Sequence, residues 1–114
     1  MKQAKIPHNL HCCLIYSTAS DEDEALRIGR TLVEERLAAC INVLPGMISA
    51  FRWKNAVETD REAVLILKTT QNRADACIRR LTALHPYETP CAVTIPIQGG
   101  LPDTLRWIAD SVAE

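Results

Sequence analysis

The pattern of hydrophobic and polar residues along the chain predicts four strands and three helices. Residues 10–17 are apolar on both alternating faces, which is typical of a strand at the centre of a sheet. After the acidic residues 21–24, apolar residues recur at helical spacing as far as Leu37, with Ser20 as the predicted N-cap. The predicted strands are 10–17, 40–54, 60–69 and 89–97, and the predicted helices are 21–37, 72–84 and 102–113.

Proline and glycine positions refine the predicted strands. Pro45 and Gly46 interrupt the second strand and indicate a bulge or bend. Residues 55–59 are predicted to turn the chain into the third strand. Pro90 and Pro96 lack a backbone donor, which suits a fourth strand at an edge of the sheet or with exposed ends.

The order of the elements predicts the fold class. The sequence βαββαβ, followed by a last helix, predicts a ferredoxin-like α+β sandwich built on a four-stranded antiparallel sheet. We expect residues 10–114 to form one domain. The polar residues 1–9 contain a proline and are predicted to be a flexible N-terminal arm.

The long second and third strands predict that the protein forms an oligomer. A strand of about 15 residues spans roughly 50 Å, whereas a domain of this size has a radius of gyration near 13 Å. The hairpin should therefore overhang its own domain and expose Met47, Ile48, Phe51 and Trp53. Exposed apolar strands favour pairing with other chains, so we expect the hairpin to pair with other subunits.

Composition and charge narrow the classes of function. The 114 residues carry a net charge of −1, so the chain lacks the net positive charge that is typical of a general nucleic-acid binder. No apolar run reaches the roughly 18–20 residues of a membrane helix, and no signal peptide is apparent. The five cysteines include no Cys-x-x-Cys pair, which disfavours structural zinc. We expect a cytoplasmic protein that binds neither nucleic acid nor membrane and whose cysteines mostly pack in the core.

Several segments together resemble one known family. The resemblance covers residues 12–112 in order and includes the stretches LAACIN, PG, KT, HPYETP and LPDTLRWI. Individual markers include Trp53, Glu62 and Trp107. On these residues the chain resembles the CutA divalent-cation-tolerance proteins.

The resemblance implies a homotrimer in which long hairpins pair between subunits. It also implies a role in tolerance to divalent cations, with Cu(II) or another divalent cation as the ligand. It implies no enzymatic reaction and no organic cofactor.

The copper-binding pattern of the family places its ligands at positions 17, 84 and 85 of this sequence. The chain has Ser17, Leu84 and His85 there, so only His85 retains a metal-binding side chain. We predict weak metal binding by His85 with Glu88. The alternative is that His85 ends a helix and its imidazole bonds a carbonyl or a carboxylate.

Aromatic residues and one lysine are the candidates for a cleft between subunits. Packing at the subunit interface is the alternative role for the tryptophans. For Lys68 the alternative is ordinary cross-strand pairing, in which Lys68 and Glu62 of the third strand pair with Glu88. The candidate residues are Phe51, Trp53, Lys68, Tyr87 and Trp107.

Other functions remain open at this stage. A ferredoxin-like trimer also suits a PII-like signalling protein that binds small anionic ligands, although no glycine-rich phosphate loop is present. A trimeric scaffold without a specific metal site is equally compatible. An acylphosphatase-like hydrolase is disfavoured, because residues 21–24 following the first strand are all acidic and would repel phosphate.

Overall fold

The computed structural model describes residues 11–113. The predicted N-terminal arm 1–9 lies outside this range. The strands and helices follow one another in the predicted order βαββαβα. The strands are β1 (Cys12–Ala19), β2 (Cys40–Trp53), β3 (Ala56–Thr70) and β4 (Ala92–Pro96), and the helices are α1 (Glu22–Glu34), α2 (Gln71–Leu84) and α3 (Pro102–Ser111).

The four strands form one antiparallel sheet in the order β2-β3-β1-β4. This is the predicted ferredoxin-like α+β arrangement, with β1 inside the sheet and β4 at an edge as predicted. No helix within residues 11–113 is long and apolar enough to cross a membrane.

One face of the sheet packs against α1 and α2 and forms the main core. Ile15 of β1 and Leu65 and Leu67 of β3 are completely buried there, together with helical residues such as Ile28 and Leu81. The opposite face of the sheet is only partly covered. Helix α3 covers one end of it, where Leu105 and Ile108 pack on Cys12.

Several apolar residues elsewhere on this second face are exposed. Val93 and Ile95 of β4 lie opposite Tyr16 and Leu14 of β1, and Val93 is 52% and Ile95 46% exposed. Leu44 of β2 is 54% exposed. We call this surface, made of Leu14, Tyr16, Leu44, Val93 and Ile95, the open sheet face.

The β2–β3 hairpin extends beyond the core, as predicted. Met47 is only partly exposed, contrary to the prediction, because its sulfur accepts the Tyr16 hydroxyl at 3.5 Å. Residues 50–61 are all exposed, and the molecule measures 51 × 32 × 22 Å. The predicted irregularity at Pro45-Gly46 is a register shift between Leu44 and Met47, and Gly46 has φ +77°.

The predicted turn at 55–59 is wrong, because only Lys54 and Asn55 connect the two strands. Their φ values of 49° and 68° are those of a two-residue turn that matches the twist of a hairpin. Residues 56–59 instead pair with β2 from the first residue of β3.

Four other predicted boundaries differ from the structure. Asp21, rather than Ser20, caps α1, because its carboxylate accepts the Glu24 amide at 2.8 Å. The predicted helix to Leu37 ends at Glu34, and Arg36 then takes a positive φ of 60°. The first strand extends to Ala19 because its last two residues pair with β3, and the fourth strand begins at Ala92 rather than residue 89.

Candidate functional site

His85 follows the last residue of α2 and is held by two hydrogen bonds. Its Nε2 atom lies 2.7 Å from the carbonyl oxygen of Thr18, and its Nδ1 atom accepts the amide of Tyr87 at 3.2 Å. A carbonyl can only accept, so Nε2 carries the proton and Nδ1 supplies the lone pair. The imidazole is also buried, with 7% exposure. His85 therefore uses both ring nitrogens inside the protein.

Tyr87 connects this segment to the hairpin. Its ring centroid is 4.5 Å from that of His85, and its hydroxyl donates to Glu62 Oε2 at 3.1 Å. Burial, the bond to Glu62 and the nearby charges of Glu62, Asp60 and Asp21 raise the pKa of Tyr87 to about 12. The phenol is therefore a stable hydrogen-bond donor at neutral pH.

A groove of about 270 Å³ opens between the hairpin and the segment after His85. Both aromatic rings and carboxylates line it. Glu62 and Asp60 lie two residues apart on one face of β3, opposite Met47 and Ser49 of β2, so both carboxylates reach the same side of the hairpin. We call it the acidic aromatic groove; it is lined by Phe51, Trp53, Tyr87, Asp60, Glu62 and Glu88.

One cation of the chain lies at the rim of this groove. The Lys54 ammonium is 5.6 Å from the centroid of the Trp53 ring and 3.8 Å from Glu88 Oε2. Both charged side chains are about 70% exposed, at 72% for Lys54 and 71% for Glu88, so the pair is weak. Glu88 thus pairs with Lys54, in contrast to the cross-strand pairing considered for Lys68.

The structure brings some of the candidate residues together and separates others. Phe51, Trp53, Tyr87 and Glu88 all line the acidic aromatic groove. Lys68 lies elsewhere on β3, between Leu14 and Cys40, and Trp107 lies on α3.

Two residues that line the groove, Asp60 and Thr89, were not predicted, and neither was Lys54 at its rim. The spacing of Asp60 and Glu62 was the available signal, because residues two apart on a strand share a face. Lys54 gave no such signal, because its position depends on the two-residue turn.

The described part of the chain contains no preformed site of three or more metal ligands. Within residues 11–113, no three His, Cys, Asp or Glu side chains lie close enough to hold a metal ion. His85 would have to release Thr18 or Tyr87 before it could bind a cation. Ser17 is occupied as well, because its hydroxyl donates to the Cys91 carbonyl at 2.6 Å.

The cysteines add no reactive group to this site. None of the five is in a disulfide, and Cys12, Cys13 and Cys77 are buried. Burial raises the pKa of the Cys77 thiol to about 12, and burial also raises the pKa values of Cys12, Cys13 and Cys91. These thiols are therefore protonated at neutral pH and poorly suited to metal binding or nucleophilic attack.

The fold and the long hairpin define a ferredoxin-like α+β protein with an extended two-stranded arm. A sequence model of the family described as CutA1 divalent ion tolerance protein matches residues 13–111. The chain belongs to the CutA divalent-cation tolerance family, whose name refers to tolerance and not to a reaction.

Individual relatives agree with this assignment. The divalent-cation tolerance protein CutA of Thermus thermophilus is 40% identical over 98 residues, covering 86% of this chain and 95% of the relative. The crystal structure of CutA from Xylella fastidiosa superposes with a TM-score of 0.86 at 44% identity, covering 89% of this chain and 97% of that one. The chain spans 66% of the CutA homolog of Xenopus laevis, which is 38% identical over 99 residues and 87% of this chain. It spans 57% of the chloroplastic CutA 1 of Oryza sativa, which is 35% identical over 101 residues and 89% of this chain.

Proposed function

We propose that the protein is a homotrimeric divalent-cation tolerance protein, without catalytic activity, that acts in the cytoplasm. The observation that carries the proposal is the hairpin, which extends away from the core and exposes Ile48, Phe51, Trp53 and Val57. Leaving so much apolar surface in water is unfavourable, and a second chain would remove it from solvent.

The open sheet face supplies a second surface for the same assembly. Val93 and Ile95 lie on β4, an edge strand with unpaired backbone groups. An edge strand beside an extended hairpin favours strand pairing between copies, in which the hairpin of one subunit adds to the sheet of the next. A closed ring of three such contacts leaves no unpaired edge.

The proposed cation binding is weak and involves Glu88 with His85. Glu88 is exposed, and within residues 11–113 Lys54 is its one charged partner, so a cation can compete for its carboxylate. His85 contributes only after it releases Thr18 or Tyr87, which costs a hydrogen bond and lowers the affinity. Cu(II) is the preferred candidate, because it heads the affinity order of divalent metals for nitrogen and oxygen ligands.

The cytoplasmic location rests on the cysteines. Five free thiols without a disulfide suit a reducing compartment. The PII-like alternative is disfavoured, because three carboxylates line the groove and would repel an anionic ligand.

Two measurements test the proposal. Sedimentation equilibrium at micromolar concentration is expected to give three times the mass of 12.7 kDa, and a monomer would contradict the trimer. Calorimetric titration with Cu(II) is expected to show weak binding that Glu88→Gln and His85→Ala each reduce. Unchanged binding in both variants would show that these two residues are not ligands. Glu34→Gln on α1 is the control for the loss of one charge.

A further inference from the structure

The charged side chains on one face of β3 are segregated along the strand. Successive side chains of a strand point to opposite faces, so Glu58, Asp60, Glu62 and Lys68 all lie on the side of the open sheet face. The three carboxylates lie in the part of β3 that pairs only with β2, whereas Lys68 lies opposite Leu14 of β1. This face of the strand is therefore acidic in the hairpin and basic in the body of the sheet.

Glu62 is the carboxylate with the greatest need for a cation. It is only 9% exposed, and carboxylates buried to this degree are normally paired with a cation. The Tyr87 hydroxyl donates to it at 3.1 Å, which stabilises the charge but does not neutralise it. Within residues 11–113, no lysine or arginine forms a salt bridge with Glu62. A second chain that covers the groove must therefore also supply a positive charge.

Lys68 needs a partner of the opposite charge. Its side chain is half-buried, and its neighbours on the adjacent strands are Leu14 and Cys40. In the part of the chain that the structure describes, no carboxylate forms a salt bridge with it. The open sheet face beside it is apolar, so a subunit that covers this face would take the ammonium further out of water.

Glu62 and Lys68 cannot satisfy each other within one chain. They are six residues apart on the same strand, which separates them by about 20 Å at 3.3 Å per residue. The Debye length at physiological ionic strength is about 8 Å, so the two charges hardly affect each other at that separation.

The proposed assembly brings the acidic part of one chain to the basic part of another. In that assembly the hairpin of one subunit adds to the sheet of the next, and in a closed ring every subunit turns the same face inward. The carboxylates of one hairpin then lie on the same side as the neighbouring open sheet face. Among the described residues of the four strands, Lys68 is the one basic side chain on that side, because Arg52 and Arg61 lie on the other face of the hairpin.

We propose that Lys68 of the partner subunit enters the acidic aromatic groove and pairs with Glu62. This inference rests on the proposed trimer and specifies the charge pairing at its interface. The rings of Phe51 and Trp53 line the same groove and would keep water from the pair, which strengthens the attraction between the charges. The groove is then a closed part of the subunit interface, and its most buried carboxylate is neutralised by another chain.

The first test is a double-mutant cycle on the assembly of the full chain. Sedimentation over a dilution series gives the concentration at which half of the chain is trimeric. Lys68→Met and Glu62→Gln should each raise this concentration by about tenfold or more, because each leaves one buried charge unpaired. The variant with both changes should assemble no worse than the weaker single variant, because neither charge remains. Since the two residues are about 20 Å apart in one chain, such coupling acts between chains.

Cross-linking tests the contact directly, even if Glu62→Gln fails to fold. A carbodiimide joins a lysine amine to a carboxylate in contact with it. The unchanged chain should give covalent dimers and trimers in a denaturing gel, and mass spectrometry should place the link between residues 68 and 62. Lys68→Arg keeps the positive charge without the amine, so it should keep the trimer and lose the link. Lys54→Arg should keep the link, because Lys54 pairs with Glu88 of its own chain.

A control variant separates the pair from a general effect of charge. Arg79→Gln removes an exposed positive charge from α2, which packs on the other face of the sheet, and should leave assembly within about twofold of the unchanged chain.

Two outcomes would overturn the pairing and leave the proposed trimer in place. One is a trimer in which the effects of Lys68→Met and Glu62→Gln simply add. The other is a trimer in which the carbodiimide links Lys68 only to other residues or to none. A monomeric unchanged chain would contradict the proposed trimer itself, and the pairing with it.

Discussion

The imidazole of His85 is hydrogen-bonded to the carbonyl oxygen of Thr18, 67 residues earlier, at 2.7 Å. This bond ties the end of α2 to the end of β1. It also fixes the start of the segment that carries Tyr87 and Glu88, because the Tyr87 amide bonds the other ring nitrogen. The residue that the sequence singled out as a metal ligand is thus the anchor of one wall of the acidic aromatic groove.

Replacing His85 tests its role as an anchor. We expect His85→Ala to lower the free energy of unfolding by about 1–3 kcal/mol, because Thr18 loses its buried donor. His85→Gln retains an N–H donor and should lose less. Urea unfolding at one fixed protein concentration measures both, and equal stability of His85→Ala and the unchanged chain would contradict the anchoring role.

The pKa of Tyr87 is expected to depend on Glu62. Burial is the largest cause of the raised pKa, and the Glu62 bond and charge add to it. Glu62→Gln should therefore lower the pKa of Tyr87 from about 12 without restoring its ordinary value. The measurement is tyrosinate absorbance during alkaline titration, with Tyr87→Phe identifying the transition. An unchanged transition in Glu62→Gln would exclude the coupling.

Alkaline pH is expected to destabilise the fold through Cys77. Its folded pKa of about 12 exceeds the unfolded value, so this stabilisation is complete below the unfolded pKa and is lost as pH rises toward 12. Between about pH 9 and 12 the free energy of unfolding should fall by up to about 1.4 kcal/mol per pH unit from this thiol. Urea unfolding across that range measures the slope, and Cys77→Ala should make it shallower. An equal slope in both proteins would exclude Cys77 as the source.

Gly29 is expected to tolerate no side chain. A Cβ there would lie 2.9 Å from Ile41 Cγ1 and 3.1 Å from Leu65 Cδ1, so α1 would have to move away from the sheet. Gly29→Ala should lower stability by about 1–3 kcal/mol despite the better helix propensity of alanine. Gly99→Ala is the matched control, because nothing lies within 4 Å of a Cβ at that position. Thermal unfolding of the two variants compares them, and equal stability would contradict the close packing.

The open sheet face is expected to be needed for assembly. Ile95 and Leu26 are equally exposed at 46%, but Ile95 lies on this face and Leu26 lies on α1. Ile95→Asp should reduce trimer formation, because it would bury a charge between subunits. Leu26→Asp should not. Sedimentation measures the oligomeric state of both variants. An intact trimer of Ile95→Asp would show that the open sheet face is not part of the subunit interface.

Much of the fold could be predicted because its signals are local. The alternation in β1 and β3 and the helical spacing in α1 and α2 depend on residues a few positions apart. Leu26 shows the limit of this reasoning. It is one of the apolar residues of α1 yet is 46% exposed, because the sheet covers only the side around Ile28 and Leu32.

The candidate site was harder to predict, because its members come from three distant segments. Phe51, Trp53 and Tyr87 were named as cleft residues, and one groove contains all three. Trp107 was named with them on chemical type alone, and it lies on α3. Residue type indicates what a side chain can do, but not which neighbours it will have.

The sequence by itself determined the order of strands and helices, the overhanging hairpin and the family. The elements depend on residues that are close together in the chain, and the family is indicated by short motifs in the same order as in its members. Only the tertiary structure decided that His85 bonds Thr18 and that Glu62 meets Tyr87. Both contacts depend on the register of β3 against β1 and β2 and on where α2 ends. Register is set by the packing of the whole sheet, so a pattern of neighbouring residues cannot specify it.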